Sequence, residues 1–141
     1  MKKKVETSGY SQTPLARKLG LKSGQNILLI NKPRYYFDLF SDFPEEVSIL
    51  KSGKEEEVDF IHLFVKSVEE FEDRVIHVKP LLKKDGLLWV SWPKGASKIK
   101  TDLKRDFIRE FMLDIGLVDV KVCSVDQDWS GLKFVYRLKD R

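Results

Sequence analysis

Two short stretches gather the side chains best suited to holding an anion. Trp92-Pro93-Lys94-Gly95-Ala96-Ser97-Lys98-Ile99-Lys100 carries three lysines, a serine and an indole, and Asn31-Lys32-Pro33-Arg34 adds a lysine, an arginine and a carboxamide. Ammonium and guanidinium groups bind phosphate or carboxylate oxygens, and a helix starting just after such a loop adds the partial positive charge of its first N–H groups. Asn31, Lys32, Arg34, Trp92, Lys94, Ser97 and Lys98 are therefore the candidate ligand-binding residues. If the two stretches meet, they make a cationic mouth with an aromatic wall. If they stay apart, the lysines are solvated surface residues.

Other reactive side chains are sparse. His62 lies in an apolar run and reads as a core histidine; His77 falls off the apolar stripe of its helix and faces solvent. Two histidines and one cysteine do not supply a dedicated zinc site. Asp126 and Asp128 share a turn, where aspartate bonds the local backbone. Cys123 has no sequence-near base and reads as a small buried strand residue. The sequence holds neither a Gly-x-Ser-x-Gly elbow nor a Walker-type phosphate loop. No catalytic residue, metal ligand or cofactor is assigned. Tyr10, Tyr35, Tyr36 and Phe37 either wall the mouth or close the core.

The elements that would position these residues follow from pattern and punctuation. Thr13-Pro14 starts a short helix with Thr13 as N-cap, and Gly20 ends it as a left-handed cap. Asn26 to Ile30 is a buried central strand. Pro33 to Phe40 reads as a short helix, Val47 to Leu50 as a brief strand, and Asp59 to Val65 as a second central strand. Ser67 and Glu70 make a capping box, and Val68, Phe71, Val75, Val78 and Leu82 form one apolar face. Asp85-Gly86 closes that unit before a strand at Leu87 to Trp92. Thr101 caps the next helix, with Asp102 near its positive end; Leu103, Phe107, Phe111, Met112 and Ile115 form its buried side, and Gly116 ends it. Val118 to Val125 and Leu132 to Leu138 pair as a hairpin. Strands alternating with amphipathic helices give an α/β domain with a mostly parallel sheet.

The run from Leu19 to Pro33 (a helix end, a tight turn, then a buried strand) resembles the opening of a class I methyltransferase. That resemblance implies a three-layer, Rossmann-like domain with a C-terminal antiparallel hairpin, truncated by about one strand–helix unit. Where that family places a glycine-rich loop for S-adenosylmethionine, this chain has Asn31, bulky Lys32, and Pro33 without an N–H. The acid expected after the second strand is missing too: Lys51, Ser52, Gly53 and Lys54 stand there, and acids begin at Glu55. Five ordered blocks also resemble a family of small uncharacterised bacterial proteins. They are Gly9 to Leu15, Trp92-Pro93-Lys94, Thr101-Asp102-Leu103, Gly116 to Cys123, and Trp129 to Lys133. The resemblance implies a bacterial, cytoplasmic protein and offers no catalytic residues.

The chain has 141 residues, 42% hydrophobic and 34% charged, which fits one soluble domain. No apolar run approaches the roughly 18 residues a membrane span needs. The formal charge is +4, three of it from Lys2, Lys3 and Lys4. Residues 1–8 thus read as a disordered basic tail on a near-neutral single domain, 9–141. A nucleic-acid partner is not expected, because the excess charge sits in the tail rather than on the fold. The hairpin leaves a free edge where a second copy could pair, with Trp129 as interface anchor or as buried corner residue. The expectation is a non-catalytic domain that binds a small anionic ligand or a protein partner on a methyltransferase-like scaffold. A divergent S-adenosylmethionine-dependent methyltransferase is the alternative.

Overall fold

The apolar runs become six strands of one sheet in the computed structural model, which describes residues 13–141. They are β1 (Asn26–Ile30), β2 (Ser48–Leu50), β3 (Val58–Phe64), β4 (Leu82–Pro93), β5 (Leu117–Ser124) and β6 (Trp129–Tyr136). The strand order is β2-β1-β3-β4-β6-β5. The first four run parallel, and β6 lies antiparallel between β4 and β5. Three helices accompany them: α1 (Leu15–Leu19), α2 (Val68–Val78) and α3 (Arg105–Asp114). The parallel sheet and terminal hairpin are those expected. The basic tail and Tyr10 lie outside the described residues.

Side-chain alternation along the strands builds a core on each face. Ile61 and Leu63 of β3, with Leu88 and Val90 of β4, pack against Phe71 and Val75 of α2 and Ile108 and Met112 of α3. Phe60 and Trp89 point the other way, against Ala16 and Leu19 of α1. Beyond them, Tyr36, Phe64 and Trp129 extend that second core toward the carboxyl ends of the strands. Trp129 is buried and meets Phe64 edge-on at 5.0 Å, so it is a corner residue and not an exposed anchor.

The chain leaves β1 to reach β2 on one side and β3 on the other, so the topological switch point lies between β1 and β3. Residues 51–57 join β2 to β3 without a helix. Parallel crossovers ordinarily carry one.

Several local expectations are corrected by long-range hydrogen bonds. Gly20 ends α1 at φ 88°, its N–H bonded to the Ala16 and Arg17 carbonyls, as expected. Thr13 is not the N-cap; Pro14 holds that position, and Asp42 takes the N–H groups of Ala16 and Arg17, both at 3.1 Å. Ser67 does accept from the Glu70 N–H, but the Glu70 carboxylate takes the N–H of Lys66 instead of Ser67. Asp102 sits at the positive end of α2, not α3: its Oδ1 accepts from the Val68 N–H at 2.8 Å.

The remaining corrections are shifts of boundary. Helix α3 starts at Arg105, and Thr101 accepts from the Leu103 N–H in the turn before it. The later start buries Ile108 with Met112 and leaves Phe107 37% exposed. A 3-10 helix, Tyr36–Leu39, replaces the helix expected over 33–40. Asp85-Gly86 lies inside β4, where the pairing register jumps between Leu82 and Leu87. A side chain at Gly86 would clash with Leu82, which is why the bulge carries glycine.

Candidate functional site

Beyond Pro93, the end of β4, the chain folds back on itself before α3 and borders an open hollow of about 710 Å³. Trp92, Lys94, Ser97 and Lys98 line it, so the structure gathers these four candidate residues around one space. Lys100, Lys104 and Arg105 line it as well. Lys104 and Arg105 escaped the sequence reading because α3 was started at Thr101. No carboxylate lines the hollow. The one acid between residues 92 and 105, Asp102, is turned away onto α2.

The hollow keeps its shape through bonds to the β5–β6 turn. Lys94 donates from Nζ to Ser124 Oγ at 2.6 Å, and its N–H bonds the Asp128 carbonyl at 2.8 Å. Ser97 donates to Asp128 Oδ1 at 2.9 Å and accepts from the Ile99 N–H. Asp126 Oδ1 in turn accepts from the N–H groups of Asp128 and Trp129, both at 2.8 Å. Ile99 anchors the loop apolarly in the core of Tyr36, Phe64 and Trp129.

Asn31, Lys32 and Arg34 are not in this hollow. Lys32 and Arg34 are exposed, and the Lys32 ammonium lies 5.7 Å over the Phe37 ring. The two stretches meet only indirectly, through Tyr35 beside the Asp126 carboxylate. Partial burial first, then that hydrogen-bonded carboxylate, push the Tyr35 hydroxyl up to about 12. Tyr36 is fully buried in the core, whereas Tyr35 and Phe37 are exposed and neither lines the hollow.

Asn31 ends β1 in the left-handed conformation, φ 59°. Its amide Nδ2 donates to the Phe64 carbonyl at 3.4 Å and to Glu70 Oε2 at 3.1 Å. Phe64 ends β3, so this bridge spans the switch point, where a Rossmann-type ligand would approach the strand ends. A second hollow, about 390 Å³, lies beside Asn31 and is lined by Lys51, Ser52, Gly53, Arg74 and His77 among others, with no acid. S-adenosylmethionine carries a sulfonium cation and ribose hydroxyls. A lining of cations without a carboxylate, next to a bridged crevice, does not fit that group.

His62 occupies the middle of β3, fully buried, where the sequence placed it. Its Nδ1 lies 2.9 Å from the Tyr36 hydroxyl and its Nε2 2.8 Å from Ser91 Oγ. Burial holds it neutral, with a pKa of about 3. Tyr36 and Ser91 are as buried as His62, so the trio resembles a relay in spacing only; no substrate can reach it. Cys123 is buried, as expected, and burial pushes its thiol up. His77 is exposed.

No protein-family model matches the chain, and no curated protein matches it by sequence. Solved structures do. A SAM-dependent methyltransferase from Aquifex aeolicus aligns with a TM-score of 0.59 at 15% identity, over 85% of this chain and 86% of its own. A TehB-like SAM-dependent methyltransferase from Corynebacterium glutamicum aligns at 0.57 and 14%, over 92% and 91%. The fold is that of a class I methyltransferase. A putative type 11 methyltransferase from Sulfolobus solfataricus aligns at 0.51 and 12%, over 87% and 89%. At such identities the likeness extends to the scaffold and not to the chemistry. No helix among the described residues is long and apolar enough to cross a membrane.

Proposed function

We propose that this methyltransferase-like domain is non-catalytic and binds a small phosphate- or carboxylate-bearing ligand in the hollow between β4 and α3. The observation that carries this reading is the lining: Lys94, Lys98, Lys100, Lys104 and Arg105 around one space without a carboxylate. Like charges gathered around one space repel one another, and an anion relieves that repulsion. Trp92 supplies an apolar wall and Ser97 a hydroxyl. The free thiol of Cys123 suits a cytoplasmic, reducing setting.

Calorimetric titration of inorganic pyrophosphate tests the reading. The expected result is saturable binding that weakens at least tenfold in a Lys98→Gln/Lys100→Gln variant. Absence of heat with millimolar pyrophosphate and with citrate would overturn it.

The second reading, a divergent S-adenosylmethionine-dependent methyltransferase, has the scaffold in its favour and the lining of the hollow beside Asn31 against it. Glu70 is the acid available there, and to grip a ribose it would have to release Asn31 and the Lys66 N–H. Micromolar binding of S-adenosylmethionine in the same calorimeter would establish this reading in place of the first.

A further inference from the structure

A second group of cations lies on the sheet face that carries α1. Lys121 of β5 and Lys133 of β6 are direct cross-strand partners. Like charges in that position destabilise a sheet. Lys121 Nζ reaches the Lys18 carbonyl at the end of α1, at 3.1 Å, and the Lys133 ammonium lies 6.0 Å over the Trp89 ring. Lys22 is close enough that, after burial, it and Lys121 lower the Lys133 pKa. Lys18, Lys121 and Lys94 all act on the Cys123 thiol buried beneath them, so Lys94 belongs to the same neighbourhood. Among the described residues, no carboxylate forms an ion pair with any of the five.

Lys94 connects this group to the hollow. It lines the hollow, and its ammonium bonds Ser124, three residues along β5 from Lys121. Ser124 is the last residue of β5, and the odd step turns it to the opposite face from Lys121, so Lys94 meets the group at the end of the sheet. The cations therefore run from Lys22 and Lys18 through Lys133 and Lys121 on one face, and over the end of the sheet by way of Lys94 to the hollow on the other. Net charge is a sum, and the near-neutral body hides this segregation.

We propose that the band binds the phosphodiester backbone of a nucleic acid, with one phosphate seated in the hollow; the inference rests on the hollow being an anion site. Lysine is a compact point charge suited to successive phosphates. Protein interfaces are instead depleted of lysine and centred on aromatic anchors. Trp89, the aromatic beneath this band, is fully buried.

Fluorescence anisotropy with labelled single-stranded and duplex 20-mers tests the proposal, each across a salt series. The expected result is binding that falls steeply with salt to at least one of the two. In Lys121→Gln/Lys133→Gln, affinity should drop at least tenfold at low salt, and the log–log salt slope should shrink by roughly 1.5 to 2. Pyrophosphate binding should stay within about twofold in that variant, and circular dichroism confirms that it folds. A Lys54→Gln/Lys139→Gln variant removes equal charge off the band and should change oligonucleotide affinity by no more than about twofold. No binding to either oligonucleotide, equal losses in the two variants, or tighter binding to polyglutamate would overturn the proposal. Oligonucleotide binding without pyrophosphate binding would instead remove the small-anion reading and the seated phosphate, leaving a surface band alone.

Discussion

Lowering the pH should destabilise the fold through one residue, His62. The neutral imidazole has one donor and one acceptor nitrogen, and it is met by two hydroxyls, Tyr36 and Ser91. The Phe64 ring stacks on it at 4.2 Å, and Phe60 and Trp89 flank it. A protonated ring would need acceptors on both sides and a counter-charge, and neither partner is a carboxylate. The folded pKa is accordingly about 3, against 6.5 for an unperturbed histidine. The unfolded chain then binds a proton that the native state refuses. Stability is fully present above about pH 6.5 and is lost as pH falls toward 3. One pKa unit corresponds to about 1.4 kcal/mol, so this group alone removes about 2 kcal/mol by pH 5 and about 3 kcal/mol by pH 4. Ordinary carboxylates stay ionised down to about pH 5, so they contribute little between 7.5 and 5, and comparison with His62→Gln isolates His62 from the rest of the chain. Urea denaturation at several pH values in that window reads the loss as a falling midpoint. His62→Gln cannot titrate there; it should start less stable and show a flat profile. The His62 ring resonances of the wild type should not shift between pH 7.5 and 5. A flat wild-type profile, or an equal slope in His62→Gln, would refute the reasoning.

Three further substitutions test the packing that positions the candidate site. Asp42→Ala removes the distant cap of α1 and should cost about 1 kcal/mol in thermal or urea denaturation. Gly131→Val should cost about 1–3 kcal/mol, because its Cβ meets the Trp89 ring at 3.1 Å and Ser91 Oγ at 3.2 Å in a closed core; an unchanged melting temperature would show that β6 can move away. Asn31→Ala loses the bridge to Phe64 and Glu70 and places a Cβ residue less tolerant than Asn at φ 59°, so it should destabilise more than Asn31→Gly, which loses only the bridge.

The sheet was legible because its central strands are read locally. Asn26 to Ile30 and Asp59 to Val65 are apolar runs bounded by turn residues, and burial on both faces leaves that trace in any sequence. Gly20 and Gly116 were legible for a similar reason: both take positive φ where a helix must stop. Asp42 and Asp102 were not, because each caps a helix from more than 20 residues away, and no spacing rule records a tertiary hydrogen bond. The start of α3 was misplaced because Thr101 is a good N-cap by type. Its hydroxyl instead closes a turn, and the helix waits for Arg105. The candidate site divides along the same line. Trp92, Lys94, Ser97 and Lys98 come from the end of β4 and the loop that follows it, so sequence proximity foretold their convergence. Lys18, Lys121 and Lys133 come from three elements, and only the pairing register of β5 with β6 and the docking of α1 bring them together.

The same contrast bears on how a methyltransferase-like scaffold can bind something else. At the switch point the fold has a crevice, and here a single side chain, Asn31, ties β1 to β3 and to α2 across it. Next to the strand pair β4–β6, the loop after β4 is held open by Lys94, Ser97 and Asp128, with cations around the space. Stability and binding pull in opposite directions in these two places. Hydrogen bonds bridge the first, whereas the second gathers cations with no carboxylate in its lining. A site that the apo protein leaves electrostatically unsatisfied is stabilised by what fills it. Pyrophosphate should therefore raise the melting temperature of the wild type and leave that of Lys98→Gln/Lys100→Gln nearly unchanged. Equal shifts in both proteins would place the anion elsewhere on the surface.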